Sequence, residues 1–431
     1  MKNIVFLFCC FVAFPCASQT SLSSVDEAWE MALAHNPDKE VYLLRISQAK
    51  QEYKTSKSYL YPSLSTVFSG QNNLQIPQTP VPGILFGSTE DFVFTKFGTQ
   101  FAYNAGLQMS YSLFDWQQKT QSNLAKQQIA LKEAEMFAFQ QTLMEQVAQS
   151  YYAALLAQNS LEISRRDLLL ADSLVLFATQ KLSEGLIDAL ALNQSKINRQ
   201  TIQESILQSQ NLLQESHENL KLMLGLSLQD SLILREEIAD LISYEGIDLG
   251  GYKDRALDVY KAQTLLSEWE IKNAKSNYFP KVSLSSSLLI QQFRNDFGIS
   301  FSGDDWQPNQ FITLNFNLPI TNRAREGEYK NSLIKRQISE LSYQTEARKS
   351  ETETQELMRN FYYNYDLAEN KKTMFDLYNQ NLTLTKQKYE QGLTSMESYL
   401  KVFEDYLRAE NAYMSQMLNL LTARAFIKAR R

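Results

Sequence analysis

Between Ala105 and Leu113 apolar and polar positions alternate without a break. Ala105, Leu107, Met109, Tyr111 and Leu113 share one face of an extended chain, and Gly106, Gln108, Ser110 and Ser112 share the other. From Asp115 onward the pattern turns into that of a long polar helix. Three more stretches alternate in the same way: Leu64, Thr66 and Phe68; Val282, Leu284, Ser286 and Leu288; and Ile312, Leu314, Phe316 and Leu318. The intervening residues are Ser, Asn, Gln, Thr or Gly, with Val67 the one apolar intruder. This predicts strands at about 62–70, 101–113, 281–290 and 311–318.

The chain is also written twice. The joint K-S-Y-L-Y-P-S-L-S (57 to 65) returns as K-S-N-Y-F-P-K-V-S (275 to 283), and in both a proline stops a helix and holds its predecessor extended. Q-K-L-S-E-G-L (180 to 186) returns as Q-K-Y-E-Q-G-L (387 to 393), with Gly185 answering Gly392 at an offset of 207. Two heptad series fall at that same offset. Val147, Ala154, Leu161, Leu168, Val175 and Leu182 form the first, and Phe361, Ala368, Phe375, Leu382 and Tyr389 the second. A sustained seven-residue repeat is the mark of helices that supercoil on neighbours. Beside the first runs a seam of small residues (Ser150, Ala157, Ser164, Ala171, Ala178), which the second half replaces with Asn364, Lys371 and Tyr378.

Each half therefore reads helix, strand, loop, strand, very long helix, tight turn, long helix. The first repeat spans 19–225, with long helices at about 115–183 and 188–224. The second spans 255–431, with long helices at about 322–390 and 395–428. Residues 226–254 read as a linking segment with short strand and helix pieces. Asn36-Pro37 opens the first main helix as cap and first-turn proline, and Asp188 and Ser395 are placed to cap the two returning helices. A helix of some 69 residues is about 100 Å long, more than a globular core needs. The loops 71–98 and 291–309 carry Pro, Gly and Asp at their centres and read as solvent-facing turns.

Residues 1–18 have the layout of a secretory signal peptide, with Lys2, an apolar run and small residues before a cleavage site after Ser18; Cys16 is the alternative, lipoprotein site. All three cysteines (Cys9, Cys10, Cys16) lie there, so the processed chain has no thiol chemistry. Its balance is then 41 basic against 48 acidic residues, which argues against nucleic acid as a partner. No window holds the 18 or more apolar residues of a spanning helix. An ordinary half-buried antiparallel sheet explains the alternation taken alone. The helices, however, are too long and too polar to cover such a sheet. Strands of about ten alternating residues flanked by Tyr61, Tyr111, Trp116, Phe279 and Trp306 suit a barrel with lipid outside and water inside. Four strands cannot close one, because about eight is the practical minimum, so several copies must pool theirs.

The duplicated order, the A-L-A-H-N-P opening (32 to 37), the Y-P-S-L and F-P-K-V joints and the two G-L knees together resemble the TolC family of bacterial outer-membrane efflux ducts. The resemblance covers essentially the whole processed chain. It implies a mainly α chain with a membrane β-barrel portion: a homotrimer whose twelve-stranded barrel continues into a long periplasmic α-helical barrel. It also implies an exit duct of a tripartite efflux or type I secretion system, with a periplasmic adaptor (membrane fusion protein) and an inner-membrane RND or ABC pump as partners, outer-membrane lipid around it and no cofactor. On this resemblance Gly185, Leu186, Gly392 and Leu393 are the knees that meet the adaptor. Leu107, Met109, Leu314 and Phe316 are expected to face lipid. Some family members carry acidic residues six and nine positions past the second knee glycine. Here those positions are Ser398 and Lys401, with Glu397 and Glu404 nearby, so Glu397, Ser398 and Lys401 stand as constriction candidates without an acidic ring.

Catalytic motifs dissolve on inspection. Asp296-Phe297-Gly298 lacks every companion of a kinase site and reads as a turn. His217-Glu218 is followed by Lys221 where a zinc-protease helix needs its second histidine. His35 and His217 are too few for an ordinary metal site. No enzyme and no metal is expected. The rival reading is a periplasmic coiled-coil adaptor or scaffold without a membrane-spanning part.

Overall fold

The computed structural model describes residues 19–236, 253–320 and 323–431. The signal-peptide reading of 1–18 and most of the linking segment lie outside these residues. In chain order the strands are β1 (Gln19–Leu22), β2 (Ser63–Asn72), β3 (Gln78–Pro82), β4 (Phe92–Lys96), β5 (Phe101–Asp115), β6 (Ser231–Leu234), β7 (Lys281–Arg294) and β8 (Gln307–Asn317). The helices are α1 (Val25–His35), α2 (Pro37–Ser56), α3 (Trp116–Ser183), α4 (Ala189–Leu224), α5 (Arg255–Ser276), α6 (Arg323–Glu390) and α7 (Met396–Ala429). Both α3 and α6 have 68 residues. Among the described residues no helix is long and apolar enough to cross a membrane.

The chain divides into two compact units. The sheet-bearing unit comprises Ile46–Lys132 and Lys261–Ser342. Its centre is an antiparallel sheet in the order β2-β5-β7-β8. Asp115, the last residue of β5, caps α3 by accepting hydrogen bonds from the amides of Gln117 (2.9 Å) and Gln118 (3.2 Å). That one side chain explains how alternation turns into helix without a loop. Thr120 at the start of α3 reaches the buried Ser276 hydroxyl of α5 at 2.9 Å, and Thr264 of α5 donates to the Ser339 carbonyl of α6 at 3.3 Å.

Two local readings change. A register shift between Ser112 and Phe114 puts Phe114, not Leu113, opposite Val282 on the apolar face. The extra residue is what a β-bulge inserts, and it also strengthens the local twist. The loop 71–98 holds the hairpin β3-β4, with Val81 opposite Val93. Its prolines (Pro80, Pro82) masked the strand pattern in the sequence.

The helical unit comprises residues up to Arg45, Glu133–Tyr260 and Tyr343–Arg431. Both heptad series enter its core: Val147, Ala154, Leu161, Phe361, Ala368 and Leu382 are all buried. The small seam is buried at Ala157, Ser164, Ala171 and Ala178 as well. Near the chain start, β1 pairs in parallel with β6, a short strand in the predicted linking segment. Leu22 and Leu234 bury there beside α1, whose Trp29 donates its indole N–H to the Met144 carbonyl at 2.7 Å. Asn36 does double work. Its Oδ1 caps α2 through the amides of Asp38 and Lys39, while its amide donates to the Met223 carbonyl at the end of α4.

Candidate channel wall and knees

Residues directly opposite one another in a ladder project from the same face, so the register gives the composition of each face. One row reads Leu64, Met109, Ser286, Ile312; the next reads Thr66, Leu107, Leu288, Gln310; a third, across three strands, reads Tyr111, Leu284, Leu314. With Phe68, Ile290, Val282 and Phe316, this face is almost wholly apolar. It is also bare: Leu64, Leu288, Ile312, Leu314 and Phe316 are exposed, Leu314 at 65% and Phe316 at 67%. The opposite face reads Ser63, Ser110, Ser285, Thr313, then Ser65, Gln108, Ser287, Phe311, then Val67, Gly106, Leu289, Asn309, then Ser69, Asn104, Gln291, Gln307, so it is mainly polar with Val67, Leu289 and Phe311 as apolar exceptions. It is laced by side-chain hydrogen bonds from Asn104 to Ser69 (3.2 Å), Gln291 to Asn104 (2.7 Å) and Asn315 to Ser285 (3.3 Å). All four sequence-predicted residues Leu107, Met109, Leu314 and Phe316 thus share one apolar face.

Among the described residues the outer strands β2 and β8 each have a single neighbour, which leaves two open sheet edges. At the strand–helix junction Trp116 lies 6.0 Å from Phe279 and 6.5 Å from Phe114, with Lys119 Nζ over its ring at 4.5 Å. Aromatics and lysines at one level are the usual furniture of a membrane–water boundary.

The knees are built alike. Gly185 (φ 72°) and Gly392 (φ 74°) are left-handed, a conformation that favours glycine. In each, the glycine N–H and the next N–H fold back on the helix end. Gly185 donates to the Leu182 carbonyl (3.0 Å) and Leu186 to Lys181 (2.9 Å); Gly392 donates to Tyr389 (3.0 Å) and Leu393 to Lys388 (2.8 Å). This paired closure satisfies carbonyls that the helix leaves unpaired. Three residues after each glycine comes the predicted cap: Asp188 accepts from the Ala191 amide at 3.0 Å, and Ser395 from the Ser398 amide at 3.2 Å. Leu186 and Leu393 nevertheless stand 62% and 71% exposed. A cleft of about 780 Å³ lies between the knees, lined among others by Phe177, Lys181, Asp188, Tyr389 and Glu397. Phe177 meets Tyr389 edge-on at 5.7 Å, and Tyr389 stacks on Tyr399 at 5.5 Å; burial raises both tyrosine hydroxyls above their ordinary range.

Of the constriction candidates, Glu397 and Ser398 lie in the first turn of α7 and Lys401 one turn on, all exposed. Glu397 sits where a negative charge suits the helix dipole. Glu404 is engaged with Arg408 at 2.8 Å. Asp296-Phe297-Gly298 lies in a bend with Gly298 at φ 125°. Sequence reasoning missed a buried pair of carboxyls, Asp167 and Glu410. The available signal was Glu410 itself, standing in the apolar stripe Phe403, Tyr406, Tyr413, Met417 at helical spacing.

A small open sheet with one bare apolar face, strands feeding 68-residue helices, and two matching helical knees are the features to set beside known proteins. The family model for outer membrane efflux proteins matches residues 28–226. The chain is similar to the cation efflux system protein CusC of Escherichia coli (strain K12), 24% identical over 322 residues, covering 73% of this chain and 65% of that protein. It is likewise similar to the probable outer membrane lipoprotein SilC of Salmonella typhimurium, 25% identical with the same coverage. The chain thus spans 65% of the length of these curated relatives. In fold it matches a solved CusC structure (TM-score 0.73, 19% identity, 97% of this chain and 95% of that one). It also matches the OprN outer-membrane channel (0.74, 15%, 94% and 89%) and the CmeC channel of Campylobacter jejuni (0.72, 15%, 94% and 85%). The chain has the TolC-type fold of these channels, and its likeness to the outer membrane efflux protein family covers residues 28–226.

Proposed function

We propose that this chain is the outer-membrane exit duct of a tripartite efflux or type I secretion system, a passive conduit with no catalytic step or cofactor. The observation that carries this reading is the sheet: one face apolar and bare, the other hydroxyl- and amide-lined, both edges open. Such a sheet needs hydrocarbon on one side, water on the other and a partner strand at each edge. Three copies joined edge to edge supply twelve strands, enough to close a barrel, where four are too few. Polar helices continuing from the strands then carry the conduit away from the bilayer.

In this reading the knees Gly185-Leu186 and Gly392-Leu393 are the docking points for a periplasmic adaptor, which connects to an inner-membrane RND or ABC pump. The matching pair of exposed leucines flanking a cleft of about 780 Å³ between the knees supports it. Glu397, Ser398 and Lys401 would stand at the narrow end, and outer-membrane lipid would surround Leu107, Met109, Leu314 and Phe316. The repeats 19–225 and 255–431 with their linker 226–254 are the two halves contributed by each copy. The name of CusC makes cations the first load to test, although the acidic residues that some members of the resembled family carry past the second knee are replaced here by Ser398 and Lys401.

The test is extraction and conductance. The full-length protein should leave outer membranes only with detergent, migrate as a heat-dissociable trimer and conduct ions in planar bilayers. A freely soluble monomer without conductance would return the chain to the scaffold reading.

A further inference from the structure

Asp167 of α3 lies 18 residues before the knee Gly185, and Glu410 of α7 lies 18 residues after the knee Gly392. Each therefore stands about 27 Å along its helix from its own knee. The two belong to different hairpins, α3/α4 and α6/α7, yet they meet. Asp167 is 8% exposed and Glu410 6%, and the α3–α7 packing on either side, Asn159 Nδ2 on Met414 Sδ at 4.0 Å and Ala171 and Leu174 clustered with Tyr406 and Leu407, brings the two carboxyls together. Tyr406 donates its hydroxyl to Glu410 Oε1 at 3.1 Å. Among the described residues, Asp167 Oδ2 is buried and receives no hydrogen bond from an amide, hydroxyl or cation.

A carboxylate only accepts hydrogen bonds. Two ionised carboxylates so placed would repel in a poorly solvated site, and Asp167 Oδ2 would be left unsatisfied. One proton held between them removes both costs. We propose that Asp167 and Glu410 share a single proton that latches the first hairpin to the second above the knees, and that its loss loosens this contact.

The surroundings favour a proton over a permanent ion pair. Arg166, next to Asp167 on α3, is the cation whose field reaches both carboxyls, and it opposes the proton only weakly. The pairings of Gln416 with Asn364 and of Phe375 with Tyr406 place Lys371, Lys372 and Asp376 of α6 at a similar height. Asp376 acts on Tyr413. On α4, Arg199 pairs with Asp172 and Ser209 with Ser160, which sets Glu204 near this level, exposed and bonded to Gln208. Burial, followed by the charge of Asp167, pushes Glu410 up to about 8, and burial likewise raises Asp167 above the usual carboxylate range. The proton is thus held at neutral pH and released in mild alkali. The latch rests on helix packing alone and stands whatever the chain exports.

Infrared spectroscopy of the full-length protein in detergent, titrated from pH 6 to 10, tests this. Wild type should show a protonated-carboxyl C=O band at pH 7 that disappears with a midpoint near pH 8. Glu410→Gln and Asp167→Asn should each lack that titration. Hydrogen exchange of the α3 and α7 segments around the pair, corrected for chemical exchange, should speed up about tenfold between pH 7 and 9.5 in wild type and stay within about twofold in Glu410→Gln. Absence of the band at pH 7 in wild type overturns the proposal, and so does an exchange response in Glu410→Gln equal to that of wild type. Burial also raises the Glu236 carboxyl, so Glu236→Gln should leave the titration in place, and loss of the titrating band in that variant would likewise overturn the proposal.

Discussion

Leu107 of β5 stands directly opposite Leu288 of β7, and both are exposed. Two bare leucines paired at the centre of a sheet have no place in water. If that face meets lipid, Leu107→Arg and Leu314→Arg should each cost roughly 2–4 kcal/mol per copy when the charge lies near mid-bilayer. Membrane fractions should then hold little folded trimer of either variant, while Thr313→Arg, on the polar face, should assemble. Normal assembly of the two leucine variants would place those residues away from hydrocarbon.

Gly225 ends α4 with the same left-handed closure as the knees, at φ 69°, but its surroundings differ. A Cβ on Gly225 would lie 2.3 Å from the His35 carbonyl oxygen, whereas one on Gly185 meets nothing within 4 Å. Gly185→Ala should therefore cost only the left-handed penalty, roughly 1–2 kcal/mol. Gly225→Ala should cost more, because the end of α1 must also move. Thermal melts of the two variants should rank in that order.

The caps Asp188 and Ser395 each satisfy one amide of a returning helix. Replacing either by alanine should cost about 1 kcal/mol of local stability. Hydrogen exchange should report it as faster exchange confined to the first turn of α4 or of α7. An effect spread along both helices would mean that the cap organises more than its own turn.

His217 of α4 is half-buried with Nε2 lacking a partner, and burial, helped by Lys221, lowers it below the ordinary histidine range. The folded state therefore resists protonation that the unfolded chain accepts. Stability on this account is intact above about pH 6.5 and falls as the pH drops below it. A His217→Gln variant should lose that part of the acid sensitivity, measured as melting temperature against pH between 7 and 5. A slope unchanged by the substitution would assign it to other groups.

The sequence was most readable where a single period governs. The two-residue alternation gave four strands to within a few residues, and the bulge at Ser112 and Phe114 escaped because one inserted residue leaves alternation on either side intact. Heptads and glycine-to-cap spacing placed the ends of α3, α4, α6 and α7, since caps and left-handed glycines are local chemistry. The strands β1 and β6 and the hairpin β3-β4 were less visible. The first two depend on a partner some two hundred residues away, and the third carries prolines. The Asp167–Glu410 pair needed the fold, because nothing local joins residues on separate hairpins.

The most direct test of the central claim is a scan of single cysteines, each spin-labelled, from Ile312 to Asn317 in lipid bilayers; the sequence has no cysteine after Cys16. The account requires labels at 312, 314 and 316 to be relaxed by oxygen dissolved in the hydrocarbon, and those at 313, 315 and 317 by a water-soluble nickel complex. Equal access of the nickel complex to all six positions would contradict it.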